Sequence, residues 1–149
     1  MNDDLSKIKA LFHSHVESRS SLAKSTHSER KQKLKNLLKN FIEMEDEAIA
    51  ALALDLKKSP TESVISEIVG ARIEASFAIK HLKKWMRSKK VSTPATIAFT
   101  SGWVRPEPKG SVLILGPWNY PILLCLNPLI AAIAAGNTVI IKPSEFAPA

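Results

Sequence analysis

The sequence predicts an α/β protein in which N-terminal helices precede the first strand–helix–strand unit of a doubly wound parallel sheet. Residues 1–90 carry two helix-start signals, each followed by apolar residues at helical spacing. Residues 111–141 contain no charged residue, and two short apolar runs there flank an Ala-rich one. We therefore divide the chain into a helical segment at 1–90, a crossing loop with an edge strand at 91–110, and an incomplete sheet domain at 111–149.

The first long helix is predicted to begin at Thr26, an N-cap residue with Glu29 at position N3 as its capping-box partner. Apolar residues then recur at spacings typical of one helix face: Leu34, Leu37, Leu38, Phe41, Ile42, Ile49, Leu52 and Leu56. This single stripe predicts one helix that continues to about residue 56. A shorter helix is expected before it, over residues 5–18.

The second long helix is predicted to begin after Ser59, with Pro60 at N1 and Glu62 at N3. Its buried face is expected to hold Val64, Ile65, Ile68, Val69, Ile73, Phe77, Leu82, Trp85 and Met86. Basic residues up to Lys90 would suit the negative end of the helix dipole. The pattern predicts a helix that ends near residue 90.

The segment after this helix is uncharged over residues 91–99 and is interpreted as a crossing loop. Residues 100–108 follow as an edge strand around Trp103 and Val104. Pro106 and Pro108 have no backbone donor and would interrupt a central strand.

Residues 111–149 carry the sheet. Val112–Leu115 is predicted to be a strand buried on both faces, and Gly116–Pro121 a turn. Ile122–Ala135 then forms an apolar helix that Gly136 and Asn137 end, and Val139–Ile141 forms a second buried strand. Such a unit is a right-handed parallel crossover.

Composition excludes several classes of protein. Residues 1–90 hold 18 of the 21 basic and 12 of the 14 acidic residues, which fits solvated helix faces. The single cysteine, Cys125, excludes an internal disulfide and a multi-cysteine metal site, so we expect no metal and a reducing cytoplasm. Cys125 is expected to be a buried small hydrophobe. Four histidines are expected at the surface: His13, His15, His27 and His81.

Two other functions are suggested by parts of the sequence. A basic nucleic-acid-binding helix is suggested by Lys24, Arg30, Lys31, Lys33, Lys35 and Lys39, but no aromatic residues interleave with them. Salt-sensitive DNA binding would favour it. A membrane hairpin is suggested by the length of the uncharged run, yet Gly, Pro and Asn residues divide that run into pieces too short to span a bilayer. We expect neither nucleic-acid binding nor stable membrane insertion.

The sheet segment resembles a known family. Gly116–Pro121, then Asn127-Pro128, then the contiguous run Ala131–Glu145 are similar to the aldehyde dehydrogenase superfamily. Residues Ala51–Lys58 are similar to its class-three branch, which acts on fatty and aromatic aldehydes. The resemblance implies a truncated Rossmann-like fold, so that residues 111–149 begin a dinucleotide-binding domain. It also implies NAD(P)-dependent oxidation of aldehydes to carboxylic acids through a cysteine nucleophile.

The resemblance further implies roles for individual residues. Asn119 matches the asparagine whose amide stabilises the oxyanion, and Lys142 and Glu145 match the pair that binds the adenosine ribose of NAD or NADP. The loop that lines the nicotinamide side would consist of Leu115, Gly116, Pro117 and Trp118. Tyr120 would lie near the mouth of the aldehyde tunnel.

No segment of these 149 residues matches the family's nucleophile, general base or glycine-rich cofactor loop. We therefore expect no turnover by this polypeptide alone. The unit would leave a parallel strand without a neighbour and an apolar helix half covered, so we expect self-association or binding to a complementary chain.

Overall fold

The computed structural model describes the backbone of residues 2–149 and the side chains of residues 5–149. In chain order the helices and strands are α1 (Asn2–Ala23), α2 (His27–Glu43), α3 (Glu45–Leu56), α4 (Pro60–Ser63), a π-helical turn (Val64–Ile68), α5 (Val69–Trp85), β1 (Lys89–Val91), a 3₁₀ turn (Ala95–Ile97), β2 (Gly102–Val104), β3 (Ser111–Leu115), α6 (Leu123–Ala135) and β4 (Thr138–Lys142). The predicted α/β class is confirmed. The N-terminal helix is longer than the residues 5–18 expected.

Both predicted helix starts are confirmed. The Glu29 N–H donates to Thr26 Oγ1 at 3.3 Å, and the Thr26 N–H donates to the Glu29 carboxylate at 2.6 Å, which completes a capping box. At α4 the Glu62 N–H donates to Ser59 Oγ at 3.2 Å, and Pro60 occupies the first turn. Caps satisfy backbone groups locally, so short sequence patterns are sufficient to predict them.

The prediction of one helix over residues 26–56 was wrong, because the chain bends at Met44. The Met44 N–H still bonds to Asn40 O, yet Met44 itself has φ −95° and ψ 12° and separates α2 from α3. Three acidic residues follow directly: Glu45, Asp46 and Glu47. Negative charge favours a helix N-terminus, which explains why a new helix starts there.

The second long helix also differs from its prediction. It contains the π turn and ends at Trp85, and Lys89 and Lys90 lie in β1 rather than in a helical last turn. β1 pairs antiparallel with β2, so the predicted edge strand belongs to a separate two-stranded sheet, and the crossing loop connects its two strands. This pairing satisfies backbone groups that a loop would have left to water.

The buried face of α5 is narrower than predicted. Ile73 and Phe77 are 63% and 48% exposed. Small residues take the core side instead, namely Ala71, Ala75 and Ala78, together with Leu82. The absence of bulky side chains on this side lets α2 and α6 pack closely against α5, around Leu34, Ile130 and Ala134.

The parallel strand–helix–strand unit is confirmed. β3 pairs with β4 in parallel from Ser111↔Thr138 to Leu115↔Lys142, and α6 connects them. The prediction that β3 is buried on both faces was wrong: Ile114 is 6% exposed, but Leu113 and Leu115 are 62% and 67% exposed. Within residues 2–149, α6 packs on the sheet and no element covers Leu113 and Leu115. Among these residues we also find no helix with the length and apolar character needed to cross a bilayer.

Candidate functional site

The carboxyl ends of β3 and β4 meet at one edge of the sheet. After the last pair of the ladder, Leu115↔Lys142, the Gly116 N–H donates to Lys142 O at 2.9 Å. A Cβ added at Gly116 would lie 2.2 Å from Cys125 Sγ, so only glycine fits between the strand end and α6. The edge therefore brings Leu115, Gly116 and Lys142 together, and the exposed residues Pro117 and Trp118 continue from it.

Lys142 and Glu145 form an ion pair just beyond β4. Lys142 Nζ donates to Glu145 Oε2, and the two side chains are 56% and 68% exposed. The hydrogen bond from Lys142 lowers the pKa of Glu145, so this carboxyl is ionised at neutral pH. A carboxylate has two acceptor oxygens and an ammonium has three donors, so each group retains capacity for the hydroxyls of a vicinal diol.

Asn119 lies beyond the end of β3 in the loop that leads to α6. Its side chain is exposed, and its main-chain oxygen accepts a hydrogen bond from Lys58 Nζ at 2.9 Å. Within the described residues no hydrogen bond engages its side-chain amide or joins it to Lys142 or Glu145. The two halves of the candidate site thus follow strands that end at the same edge, and no hydrogen bond between the described residues joins them.

Sequence reasoning missed a buried ion pair beneath this loop. Lys58 Nζ lies 2.5 Å from Glu67 Oε1, and the two side chains are 9% and 0% exposed. The other oxygen of Glu67 accepts from the N–H groups of Ile122 and Leu123 at 2.9 and 3.3 Å. Lys58 Nζ also lies 4.3 Å from the ring centroid of Tyr120.

One signal could have revealed this pair. Glu67 lies inside the apolar stripe of its helix, three residues after Val64 and directly before Ile68. A carboxylate on a buried face requires a partner.

Cys125 is 8% exposed, as predicted for a small buried hydrophobe. Burial, followed by the negative charge of Glu67, raises the pKa of its thiol, which disfavours the reactive thiolate. Of the four histidines expected at the surface, His13 is exposed, and His15, His27 and His81 are half-buried. The His81 ring lies 4.0 Å from the Phe77 ring on α5, measured between ring centroids. In the described part of the chain, no three His, Cys, Asp or Glu residues cluster as metal ligands would.

Arg30 does not belong to a basic surface. It is 7% exposed, and its guanidinium donates to Ala134 O at 3.2 Å and Ala135 O at 2.8 Å, at the C-terminal end of α6. Burial lowers its pKa. Two clefts of about 350 and 620 Å³ flank Arg30, and their linings include none of the candidate site residues. Arg30 therefore has a structural role and does not contribute to the basic surface that suggested nucleic-acid binding.

Comparison of the sequence with known proteins identifies relatives of one family. Residues 3–149 match the model of the aldehyde dehydrogenase family. The chain is 50% identical over 99 residues to aldehyde dehydrogenase family 3 member B1 of Rattus norvegicus, covering 66% of this chain and 21% of that protein. It is 45% identical over 119 residues to 4,4'-diaponeurosporen-aldehyde dehydrogenase of Staphylococcus aureus, covering 80% of this chain and 26% of that protein.

Comparison with solved structures identifies the same family. The structure of Staphylococcus aureus AldH in a substrate-bound state superimposes with a TM-score of 0.91 at 40% identity, over 95% of this chain and 31% of that one. Glyceraldehyde-3-phosphate dehydrogenase GapN from Methanocaldococcus jannaschii, in complex with NADP, shares the fold with a TM-score of 0.85 at 23% identity, over 96% of this chain and 30% of that one. The chain thus spans about a quarter of the length of the curated relatives it matches.

Proposed function

The chain belongs to the aldehyde dehydrogenase family, and we propose from this membership that it contributes to NAD(P)-dependent oxidation of aldehydes to carboxylic acids. Its contribution is the oxyanion donor and the ribose-binding pair of the site. The supporting observation is the parallel β3–β4 register, in which Leu115 pairs with Lys142 so that the loop to Asn119 and the Lys142–Glu145 pair leave the same sheet edge. Ligands of open parallel sheets bind beyond this edge.

Asn119 is the proposed oxyanion donor. When a thiolate attacks an aldehyde, negative charge develops on the carbonyl oxygen only as the tetrahedral adduct forms. A donor aimed at that position stabilises the transition state more than the substrate, by about 3 kcal/mol. The side chain of Asn119 is exposed, and its main-chain oxygen is held by Lys58, so its amide is available for this bond.

Lys142 and Glu145 are the proposed partners of the adenosine ribose. The carboxylate accepts from the ribose hydroxyls and the ammonium donates to them. Residues Leu115, Gly116, Pro117 and Trp118 would line the nicotinamide side through main chain and packing, and Tyr120 the mouth of the aldehyde site. NAD or NADP supplies the hydride acceptor when bound. The Glu145 carboxylate opposes a 2′-phosphate and the Lys142 ammonium favours one, so the proposal covers both NAD and NADP.

The nucleophile is not among these 149 residues under this proposal. Cys125, the single cysteine, is buried in α6 with its Sγ against Gly116 and a raised thiol pKa. We expect the 149-residue chain alone to reduce no NAD(P)+ with medium-chain or aromatic aldehydes. Measurable turnover by that chain would disprove this assignment of Cys125.

The test uses the protein expressed from its complete gene, assayed by NAD(P)H formation with the same aldehydes. Asn119→Ala should lower kcat by about 10²- to 10³-fold and change KM little, because the bond forms mainly in the transition state. Asn40→Ala, at an exposed position on α2, is the matched control and should match wild type. No aldehyde oxidation by the wild-type gene product, or an unchanged kcat for Asn119→Ala, would refute the proposal.

The ribose-binding pair has a separate test. Glu145→Gln should raise KM for the cofactor severalfold with little change in kcat, because a ribose contact is made equally in the ground and transition states. Glu43→Gln is the control, since Glu43 forms a comparably exposed ion pair with Lys39, at 3.7 Å. Equal cofactor KM values in the two variants would remove Glu145 from the site.

The exposed face of β3 supports a further part of the proposal, self-association of the chain. Leu113 and Leu115 present an aliphatic surface that packing against protein would remove from water. Sedimentation should detect species larger than a monomer, and a compact monomer at high concentration would contradict it. The unpaired thiol of Cys125 is consistent with a cytoplasmic location.

A further inference from the structure

We propose that Lys58 and Glu67 are positioning residues that fix the main chain at Asn119, and so determine where the Asn119 amide can point. The catalytic consequence rests on the function proposed above. The positioning itself is a property of this chain alone and is tested separately.

Glu67 fixes the start of α6. It is completely buried, and one of its oxygens accepts from the N–H groups of Ile122 and Leu123. These N–H groups lie at the first turn of α6, where backbone donors have no partner within the helix. A carboxylate also interacts favourably with the positive end of the helix dipole. The carboxylate therefore anchors the residues that follow the Asn119 loop.

Lys58 fixes the loop itself. From its ion pair with Glu67 it donates to the main-chain oxygen of Asn119 at 2.9 Å and lies 4.3 Å from the ring centroid of Tyr120. Both contacts leave the side-chain amide of Asn119 unused. One ammonium thus connects the buried carboxylate to two consecutive loop residues, 61 and 62 positions away in the chain.

The location of the pair argues for positioning rather than for stability. A buried ion pair loses much of its Coulombic gain to desolvation, and apolar side chains of similar size often stabilise a protein as well or better. The directional bonds to Asn119, Ile122 and Leu123 are what apolar residues could not supply. An oxyanion donor is useful only when it is aimed at the developing charge, and a shift of about 1 Å can cost roughly 10²-fold in rate.

The first experiment follows the loop in the 149-residue chain by NMR. Tyr120 is the only tyrosine, so its ring signals are identified directly. The wild-type chain should show a ring-to-Lys58 Overhauser effect and slow amide exchange at Ile122 and Leu123. In Lys58→Met the effect should disappear and both amides should exchange at least tenfold faster, while the amide of Leu34 in the helical core stays as slow as in wild type.

The controls separate local positioning from general loss of structure. Lys57→Met changes the neighbouring exposed lysine, whose ammonium donates to Leu54 O, and should leave exchange unchanged. Lys58→Arg keeps the charge and should restore slow exchange in part. Because Lys58→Met leaves a buried carboxylate unpaired, the double variant Lys58→Met/Glu67→Met removes both charges and the acceptor oxygens of Glu67; it should fold and still show fast exchange at Ile122.

The second experiment measures kinetics in the complete gene product. Lys58→Met should lower kcat at least tenfold with cofactor KM unchanged, Lys58→Arg should recover part of the loss, and Lys57→Met should equal wild type. A wild-type protein without aldehyde oxidation would refute the proposed function and leave the exchange result to decide the positioning. Wild-type exchange at Ile122 in the charge-free double variant, or an equal rise at Leu34, would overturn the positioning proposal.

Discussion

Gly136 offers the sharpest test of how the N-terminal helices are joined to the sheet. It ends α6 with φ +89°, and a Cβ at this position would lie 2.4 Å from Arg30 Cζ and 2.5 Å from one of its terminal nitrogens. Gly136→Ala therefore combines two penalties. The first is strain of an L-residue at positive φ, and the second is displacement of a buried guanidinium.

The two penalties have different sizes. A left-handed conformation costs an L-residue about 1–2 kcal/mol. Displacing the guanidinium weakens its bonds to Ala134 O and Ala135 O, and hydrogen bonds to charged groups contribute roughly 1.5–3 kcal/mol each. If about one such bond is lost, Gly136→Ala should lower the free energy of unfolding by about 2.5–5 kcal/mol, a large part of the stability of a typical domain.

A double-mutant cycle measures the second penalty. In an Arg30→Ala background no guanidinium has to move, so Gly136→Ala should cost only the strain of about 1–2 kcal/mol. Urea unfolding followed by far-UV circular dichroism gives the four free energies. Gly110→Ala is the matched control: its φ is +117°, and a Cβ there would lie 3.9 Å from Arg19 Cδ, which is an ordinary contact.

The expected coupling between positions 30 and 136 is about 1.5–3 kcal/mol, and the expected coupling between 30 and 110 is near zero. Additive costs for Arg30→Ala and Gly136→Ala would show that the guanidinium does not occupy the space beside Gly136. The hydrogen bonds that join Arg30 of α2 to the C-terminal end of α6 would then be disproved.

Three further outcomes follow from local features. Thr26→Ala should lower the free energy of unfolding by about 1 kcal/mol through loss of the α2 N-cap, and an unchanged urea midpoint would contradict the cap. Hydrogen bonds from Thr26 lower the pKa of Glu29. The stability that Glu29 contributes is therefore present above the ordinary carboxyl pKa and is lost as pH falls through the lowered pKa. The free energies of unfolding of wild type and Glu29→Ala should become equal in acid. Burial raises the pKa of Cys125, so its alkylation at pH 8 should be at least tenfold slower in the folded chain than in urea, and equal rates would show that the thiol is accessible.

The starts of α2 and α4, and the end of α6 at Gly136, could be predicted because capping is local, whereas the break at Met44 and the end of α5 at Trp85 could not. Thr26 and Ser59 bond to backbone groups three residues away, so a short pattern contains the whole interaction. The break at Met44 lies inside an apolar stripe that continues from Ile42 to Ile49. Periodicity cannot show that the charges after Met44 start a new helix.

The sheet edge could be predicted from the order of strand, loop, helix and strand, but the contacts of Lys58 and Glu67 with the loop beyond that edge could not. Lys58 and Asn119 are 61 residues apart, and Glu67 and Ile122 are 55 apart. Such contacts depend on how α5 packs against α6, which no local pattern specifies. The exposure of Leu113 and Leu115 was also beyond prediction, because burial depends on neighbouring elements and not on the apolar character of the strand itself.

The bonds between Arg30 and the end of α6 have a consequence for synthesis of the protein. They join residues 104 and 105 positions apart, so α2 cannot complete its contacts when it first leaves the ribosome. At ordinary translation rates of about 5–20 residues per second, synthesis of Arg30 precedes synthesis of its two carbonyl partners by about 5–20 s. During that interval the apolar side of α2 is uncovered, and Arg30 acquires both carbonyl partners only after residue 135 has emerged.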